Sequence, residues 1–417
     1  MPACCGMPDS RAERNGGPGG PVDDLGGYLD ASATTPPAAE VLEAMAAATA
    51  EAWANPSSLH GAGLRAAERL ERSRWSLAEG LGCAADELVL CSGGSEAIHA
   101  ALLGWAADRD PGRLVLSAVE HPATFAAAER LGRMGWQVAR VPVDRCGRLD
   151  LACLEELLRP PTRLMSLIWG QNEVGTVQPL EAVGELCRAA GVVLHLDAVQ
   201  VVGHRPVRFD ALPVDLLSCA AHKLQGPRGI GALVVRRGSR LAPLIGGAQE
   251  DGRRGGTEPV VLAAGFAAAL ELALERLRAH AGSDPMAFLR DSLWRELRRR
   301  PWVHLTGSDP TEPDGRLPHH LSFVVSDPQG RALPGRALVR ALDREGFAVS
   351  SGSACSSAAA AAATASPVLL AMGYEARSAA GGLRVSLGPW VDHDRLAAFP
   401  AALERARNRV IASGQGG

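Results

Sequence analysis

The chain has 417 residues, 47% of them apolar and 21% charged, with a formal net charge of -3; this is the balance of a globular protein long enough to bury a large core and to form two or three units. A net charge near zero without a lysine- or arginine-rich tail argues against a nucleic-acid partner, and no apolar stretch has the length of a membrane span. The nine cysteines are odd in number and scattered from Cys4 to Cys355, which argues against a disulfide framework, and no metal-ligand spacing such as His-Glu-x-x-His occurs, so no metal site is expected.

Residues 1–24 are rich in glycine, proline and charge, lack the basic start and apolar core of a secretory signal, and are expected to be a disordered leader; the cytoplasm is the expected location. Tyr28 to Pro37 opens the folded part with clustered hydroxyls at Ser32, Thr34 and Thr35. A helix is predicted over 38–54, a turn over 55–61, and a second helix over 64–80, where arginine and glutamate recur at helical spacing. Residues 87–91 read as a strand that runs through Ser92-Gly93-Gly94-Ser95 into a helix reaching Ala107. A strand, a Gly-Gly turn and a helix start make a plausible phosphate cradle, because free amides and the helix dipole point at the anion.

Further strands are predicted over 113–118, 138–143 and 164–169, alternating with helices over 124–134, 149–158 and 180–190. The apolar run from Val192 then ends in Asp197. Such alternation implies βαβ units and a largely parallel sheet. After a strand over 229–236 comes a glycine-rich connection over 246–258, and a helix over 261–278 leads into a second unit with helices over 287–300 and 337–345 and strands over 319–325 and 382–388. His319-His320 reads as loop or strand edge rather than as a ligand pair.

Lys223 is the only lysine; the other 42 of the 43 basic residues are arginine. Lysine can lose its proton and condense with an aldehyde, whereas arginine stays charged, so the single exception suggests an imine. A buried carboxylate such as Asp197 needs a partner, and a protonated pyridine nitrogen is a suitable one. An imine-forming lysine with an acid for the pyridine nitrogen is the arrangement of pyridoxal phosphate enzymes. His121, Asn172, Asp197 and the His222-Lys223 pair each fall just beyond a predicted strand, so the loops at one carboxyl edge of the sheet would bring them together. Cys355 lies among Ser, Gly and Ala with no bulky neighbour to bury it, as a thiol in use would, and Arg384 offers a fork for a carboxylate.

Ten ordered motifs between Tyr28 and about Asn408 resemble those of cysteine desulfurases of the NifS/IscS-like group, within the class V aminotransferase relatives of fold-type I pyridoxal phosphate enzymes. They are YLDASATTP from Tyr28, NPSSLHGAG from Asn55, SGGSE from Ser92, AVEHPA from Ala118 and NEVG from Asn172, then LDAVQ from Leu196, AHKLQGPRGIGAL from Ala221, RRGGTE from Arg253, SSGSACSS from Ser350 and LRVSLG from Leu383. The resemblance implies an α/β fold: a large domain over 25–270, with a mostly parallel seven-stranded sheet flanked by helices, and a smaller α+β C-terminal domain over 271–417 that carries the catalytic cysteine loop.

It further implies that Lys223 joins pyridoxal 5'-phosphate covalently, that Asp197 pairs with the pyridine nitrogen, that Gln200 bonds the ring oxygen and that His121 stacks on the ring. Gly94, Ser95 and His222 would hold the phosphate, and Thr257 would reach it from the neighbouring subunit of a homodimer. Arg384 and Asn172 would hold the carboxylate of L-cysteine, and Cys355 would take the sulfur and pass it to an acceptor such as an iron-sulfur scaffold or a sulfur carrier. The chain departs from the pattern at Ala220, where serine is usual, in the Ser95-Glu96-Ala97-Ile98-His99 segment, and at Asp30-Ala31-Ser32, where Asp-Asn-Ala is usual. Two alternatives stay open: another pyridoxal phosphate enzyme of the superfamily, such as a selenocysteine lyase, a carbon-sulfur lyase or an aminotransferase, and a non-catalytic partner protein on the same scaffold.

Overall fold

The computed structural model describes residues 25–352 and 365–414. Its first part runs α1 (Ala39–Glu51), α2 (Gly61–Leu81), β1 (Leu88–Cys91), α3 (Gly94–His99), β2 (Arg113–Ser117), α4 (Pro122–Arg133), β3 (Gln137–Val141), α5 (Leu151–Leu157), β4 (Thr162–Ile168), α6 (Leu180–Ala190), β5 (Val193–Asp197), β6 (Leu216–Ala220), β7 (Gly231–Val235) and α7 (Val260–Ala279). Its second part runs α8 (Met286–Leu297), β8 (Val303–Leu305), β9 (His320–Val325), α9 (Gly335–Asp343), α10 (Pro367–Ala371), α11 (Ala376–Ala380), β10 (Gly382–Ser386) and α12 (His393–Ala412).

Seven strands form one sheet in the order β1-β7-β6-β5-β4-β2-β3. Strands β2 to β6 pair in parallel, and β7 is antiparallel to both of its neighbours, β6 and β1. Two reversals restore direction, so β1 runs the same way as the parallel five. The segments that follow β1, β2, β4, β5 and β6 therefore all open at one edge of the sheet, as expected. Every residue of β1, β6 and β7 is buried, because helices cover both faces. The outermost strand, β3, instead carries exposed Gln137 and Val138, as a sheet edge does. Leu70, Leu77, Phe266 and Leu270 fill the core on one face, and Ile98, Leu102, Leu131 and Trp136 fill that on the other.

The smaller sheet has the antiparallel order β10-β9-β8 and is covered by α8, α9 and α12 around Trp294, Phe323, Leu338, Phe347 and Phe399. The opening segment belongs with this second core: Leu29 is fully buried in it, and Tyr28 and Asp30 bridge to Ala348 and Ser386. Position 270 lies inside α7, which runs unbroken along α1 and α2 as far as Ala279.

Several element limits differ from the expected ones for local reasons. The strand expected over 138–143 stops at Val141, ahead of Pro142, which has no N–H to give. The helix expected from 149 begins at Leu151, where the Asp150 side chain accepts the Cys153 N–H at 3.0 Å as an N-cap. The helix that starts at Gly94 widens into a π-helical turn over Ala100–Gly104. Helix α12 holds a residue that in sequence reads as a breaker: Pro400 lies in its interior and is tolerated here, and Asp392 caps the N-terminus through the Asp394 and Arg395 N–H groups. His319 and His320 do stand at a strand edge, but both are fully buried.

Candidate active site

At the shared carboxyl edge a cavity of about 350 Å³ is lined by Ser32, Ala33, Gly94, Ser95, His121, Asn172, Asp197, Gln200, His222, Lys223, Gly352 and Arg384, with Ile98, Ile168 and Val199 as its apolar wall. Nine residues singled out in sequence thus meet in one place although they span positions 94 to 384. Of the other two, Thr257 is exposed and outside this cavity, and Cys355 lies outside the described residues.

The turn after β1 is built on glycine. Gly93 has a φ of 153°, which disfavours other residues, and a Cβ on Gly94 would stand 2.7 Å from Val199 Cγ2. Glu96 ties the turn down by accepting the Ser92 N–H at 2.6 Å and the Arg254 Nε at 3.1 Å. Burial raises the Glu96 carboxyl, but these bonds outweigh it and leave the group below its ordinary value. The start of α3 therefore presents its amides to the cavity on a fixed frame. Ala220 ends β6 beside it, its methyl carbon 3.7 Å from where a Gly94 Cβ would lie.

At the other end Asp197 closes β5, 4% exposed, and accepts the Val199 N–H at 3.0 Å. Burial pushes its carboxyl up to about 6, against the pull of that N–H and of Lys223. His121 caps α4, its Nδ1 accepting the Ala123 N–H at 3.1 Å; burial, with Lys223 nearby, brings it down to about 4, so the ring is neutral at pH 7. His222 is lowered to about 4 by burial, Lys223 and Arg228, and its Nδ1 lies 3.2 Å from Thr34 Oγ1. The Lys223 amine donates to the carbonyls of Ser32 at 2.5 Å and Ala33 at 2.8 Å, and Gln200 Nε2 donates to the same Ser32 carbonyl at 2.9 Å.

Arg384, on β10, is 5% exposed. Its Nη1 donates to the Asn172 carbonyl at 2.8 Å, its Nη2 pairs with Asp30 Oδ1 at 2.7 Å, and its Nε is buried with no partner among the described residues.

These groups fit pyridoxal phosphate. A glycine cradle at a helix start suits the phosphate, a buried carboxylate that favours a cationic partner suits the pyridinium, a neutral imidazole suits the ring face, and the chain's one ε-amine suits the aldehyde. The Arg384 guanidinium in the wall suits a carboxylate that replaces Asp30 on its Nη2, since Nη1 is engaged by the Asn172 carbonyl and Nε is enclosed.

Sequence reading missed Ser32 and Ala33, whose backbone carbonyls hold the lysine, and Asp30, which pairs with Arg384. The hydroxyl cluster at Ser32, Thr34 and Thr35 was the available signal: Thr35 Oγ1 donates to the His222 carbonyl at 2.9 Å and accepts the Gln225 N–H at 2.7 Å, fastening the opening segment to the lysine loop. It also missed Glu173, pushed by burial to about 7, which accepts the Ser366 hydroxyl at 2.6 Å and stands 2.7 Å from where a Cβ on Gly352 would lie. Among the described residues one group has the types of a metal site, His204, Asp284 and His319. The two imidazoles stack at 3.6 Å with planes 19° apart, so their nitrogen lone pairs lie in nearly parallel planes instead of converging.

The family described as "Aminotransferase class-V" matches residues 27–399. A cysteine desulfurase of Cereibacter sphaeroides is 42% identical over 370 residues, 87% of this chain and 91% of its own. Among solved structures, a "NIFS-like protein" superposes with a TM-score of 0.80 at 32% identity over 92% of this chain and 99% of its own. SspA, solved in complex with cysteine, gives a TM-score of 0.73 at 30% identity over 88% and 99%. With the mostly parallel seven-stranded sheet and the lysine cavity at its edge, these likenesses establish that the chain belongs to the class-V aminotransferase family, among its NifS/IscS-like cysteine desulfurases.

Proposed function

We propose that the protein takes sulfur from L-cysteine, leaves L-alanine, and carries the sulfur as a persulfide on Cys355 to an acceptor protein, an iron-sulfur scaffold or a small sulfur carrier. The observation that carries this reading is the meeting of Lys223, Asp197 and His121 in a cavity whose wall includes Gly352, three residues before Cys355. The cysteine bound to SspA, a relative of similar length, supports the choice of substrate.

In this reading Gly94, Ser95 and His222 hold the phosphate, with His222 Nδ1 engaged by Thr34 and Nε2 left for the anion. Asp197 keeps the pyridine nitrogen protonated, Gln200 donates to the ring oxygen, and His121 covers the ring face. Held there, pyridoxal phosphate would supply an aldehyde for the substrate amine and an electron-accepting ring. Arg384 and Asn172 hold the substrate carboxylate. Lys223, as a free amine, takes the α-proton and moves it onward, and the Ser32 and Ala33 carbonyls fix where that amine waits. The Cys355 thiolate attacks the substrate sulfur; the S–S bond forms as the C–S bond breaks, and the carbon left behind takes up a proton to become the methyl of alanine.

A homodimer in the cytoplasm completes the proposal. Exposed Trp53, Leu59 and Trp75 on and between α1 and α2, and Thr257 lying clear of its own chain's cavity, support a second copy that receives them.

The test is one assay of the full-length protein loaded with cofactor and given L-cysteine, following alanine and Cys355 persulfide together. Both are expected to form, and Cys355→Ser is expected to lose sulfur transfer while keeping the visible absorbance of the bound cofactor and its loss on borohydride reduction. Transfer at full rate in that variant would refute the nucleophile assignment. Alanine or pyruvate released without a persulfide in the unaltered enzyme would favour a carbon-sulfur lyase instead.

A further inference from the structure

Every polar atom of Ser32 is engaged. Its N–H donates to Ser386 Oγ at 2.9 Å, its Oγ lies 3.4 Å from His319 Nε2, and its carbonyl is the acceptor that Lys223 and Gln200 share. His319 is 1% exposed and stacks on His204. His204 Nδ1 lies 2.6 Å from Asp284 Oδ2, and Asp284 Oδ1 accepts the Met286 N–H at 2.9 Å where α8 begins. A line of buried polar groups thus runs from the turn between α7 and α8 to the lysine amine. Burying an imidazole–carboxylate pair and a second imidazole against it gains less than packing apolar side chains of the same volume. Such a buried polar line asks for a role, and the reactions of Lys223, Asp197 and the thiol use none of these four side chains.

We propose that Ser32 is a positioning residue for the lysine amine, and that it acts through this brace: Asp284 orients His204, His204 stacks on His319, and His319 holds the Ser32 hydroxyl. The peptide group whose carbonyl receives Lys223 and Gln200 is tied at its other end, where the Ala33 N–H donates to the Asp30 carbonyl at 2.9 Å, and the brace adds a second hold through the Ser32 side chain. A carbonyl aimed at an amine favours its charged form, so the brace sets how readily Lys223 gives up its proton as well as where it sits. Asp197, His121 and His222 also face the amine electrostatically, and all three stay intact in the variants below. The inference rests on reading Lys223 as the reactive amine, but its first readout needs neither cofactor nor turnover.

Because the chain has one lysine, lysine labelled with 13C at Cε gives a single side-chain signal whose shift reports the charge on that amine. In the full-length protein before cofactor is added, Ser32→Ala and His319→Ala are each expected to lower the titration midpoint of that signal by about half a pH unit. His319→Gln, which keeps a polar group toward Ser32, is expected to restore most of it. The double variant Ser32→Ala/His319→Ala is expected to go no further than either single one, because both cut the same path. A midpoint unchanged in Ser32→Ala, with far-ultraviolet dichroism also unchanged, overturns the proposal. That variant removes one oxygen atom and decides the matter even if His319→Ala does not fold. Borohydride fixation of pyridoxal phosphate on Lys223 is scored separately: its failure sinks the cofactor reading and leaves the midpoint result standing.

Discussion

Ala220 shows how much one atom at this site can decide. Its methyl faces Gly94 at the point where the resemblance expects a hydroxyl. Ala220→Ser is expected to tighten pyridoxal phosphate binding by about fivefold, the weight of one added hydrogen bond, measured by titrating the visible absorbance of the protein with cofactor. Affinity that stays the same or weakens would put the phosphate out of reach of this position. At this scale the sequence was most legible where a residue type is itself chemical: the lone lysine, the acid at a strand end, the histidines and asparagine after strands, the glycines of the turn. Backbone acceptors carry no such signature, so the Ser32 and Ala33 carbonyls went unread. The Asp30–Arg384 pair, 354 positions apart, also leaves no local trace.

Between elements, the turn that opens α3 is held from behind by a buried ion pair. Arg74 on α2 forks onto Glu250, Nη2 to Oε1 at 2.7 Å and Nη1 to Oε2 at 2.9 Å, and Glu250 Oε2 also accepts the Leu90 N–H of β1 at 2.9 Å. Both side chains are largely buried, and burial, which lowers Arg74, is outweighed by Glu250, which raises it. Glu250→Ala leaves the Leu90 N–H without its acceptor and leaves Arg74 only the Leu88 carbonyl at 3.2 Å and exposed Glu71 at 3.3 Å, and is expected to cost about 3 kcal/mol in urea unfolding. A loss below about 0.5 kcal/mol would mean that water reaches Arg74 and that the pair only decorates the surface. Elements with a strong period are legible from sequence; α6 has the limits its spacing predicts, 180–190. What escaped was short or contradicted by one residue: β8 has three residues, and α12 contains Pro400.

The whole molecule hides an unusual set of ionisable groups. Among the described residues, burial holds His121, His195, His222, His319 and His320 below their ordinary value and pushes Glu120, Glu173 and Asp197 above theirs. As pH falls below about 6.5 the unfolded chain takes up protons that the folded imidazoles refuse, which favours unfolding. The three carboxyls act the other way, since folded they keep protons that the unfolded chain releases above about 4. Imidazoles outnumber carboxyls, so the unfolded chain holds the surplus, and the stability of the cofactor-free protein is expected to rise from pH 4.5 to 6.5 with a slope of about 2 kcal/mol per pH unit. Urea unfolding at a series of pH values checks this, and a flat or falling profile would show that some of these rings are protonated in the fold. The cavity that encloses Lys223 also governs how the whole protein meets reactive carbonyl compounds and acylating agents. With arginine at every other position counted as basic, the outer surface offers such reagents no ε-amine, and an aldehyde that condenses with a lysine of this chain can do so only inside the cavity.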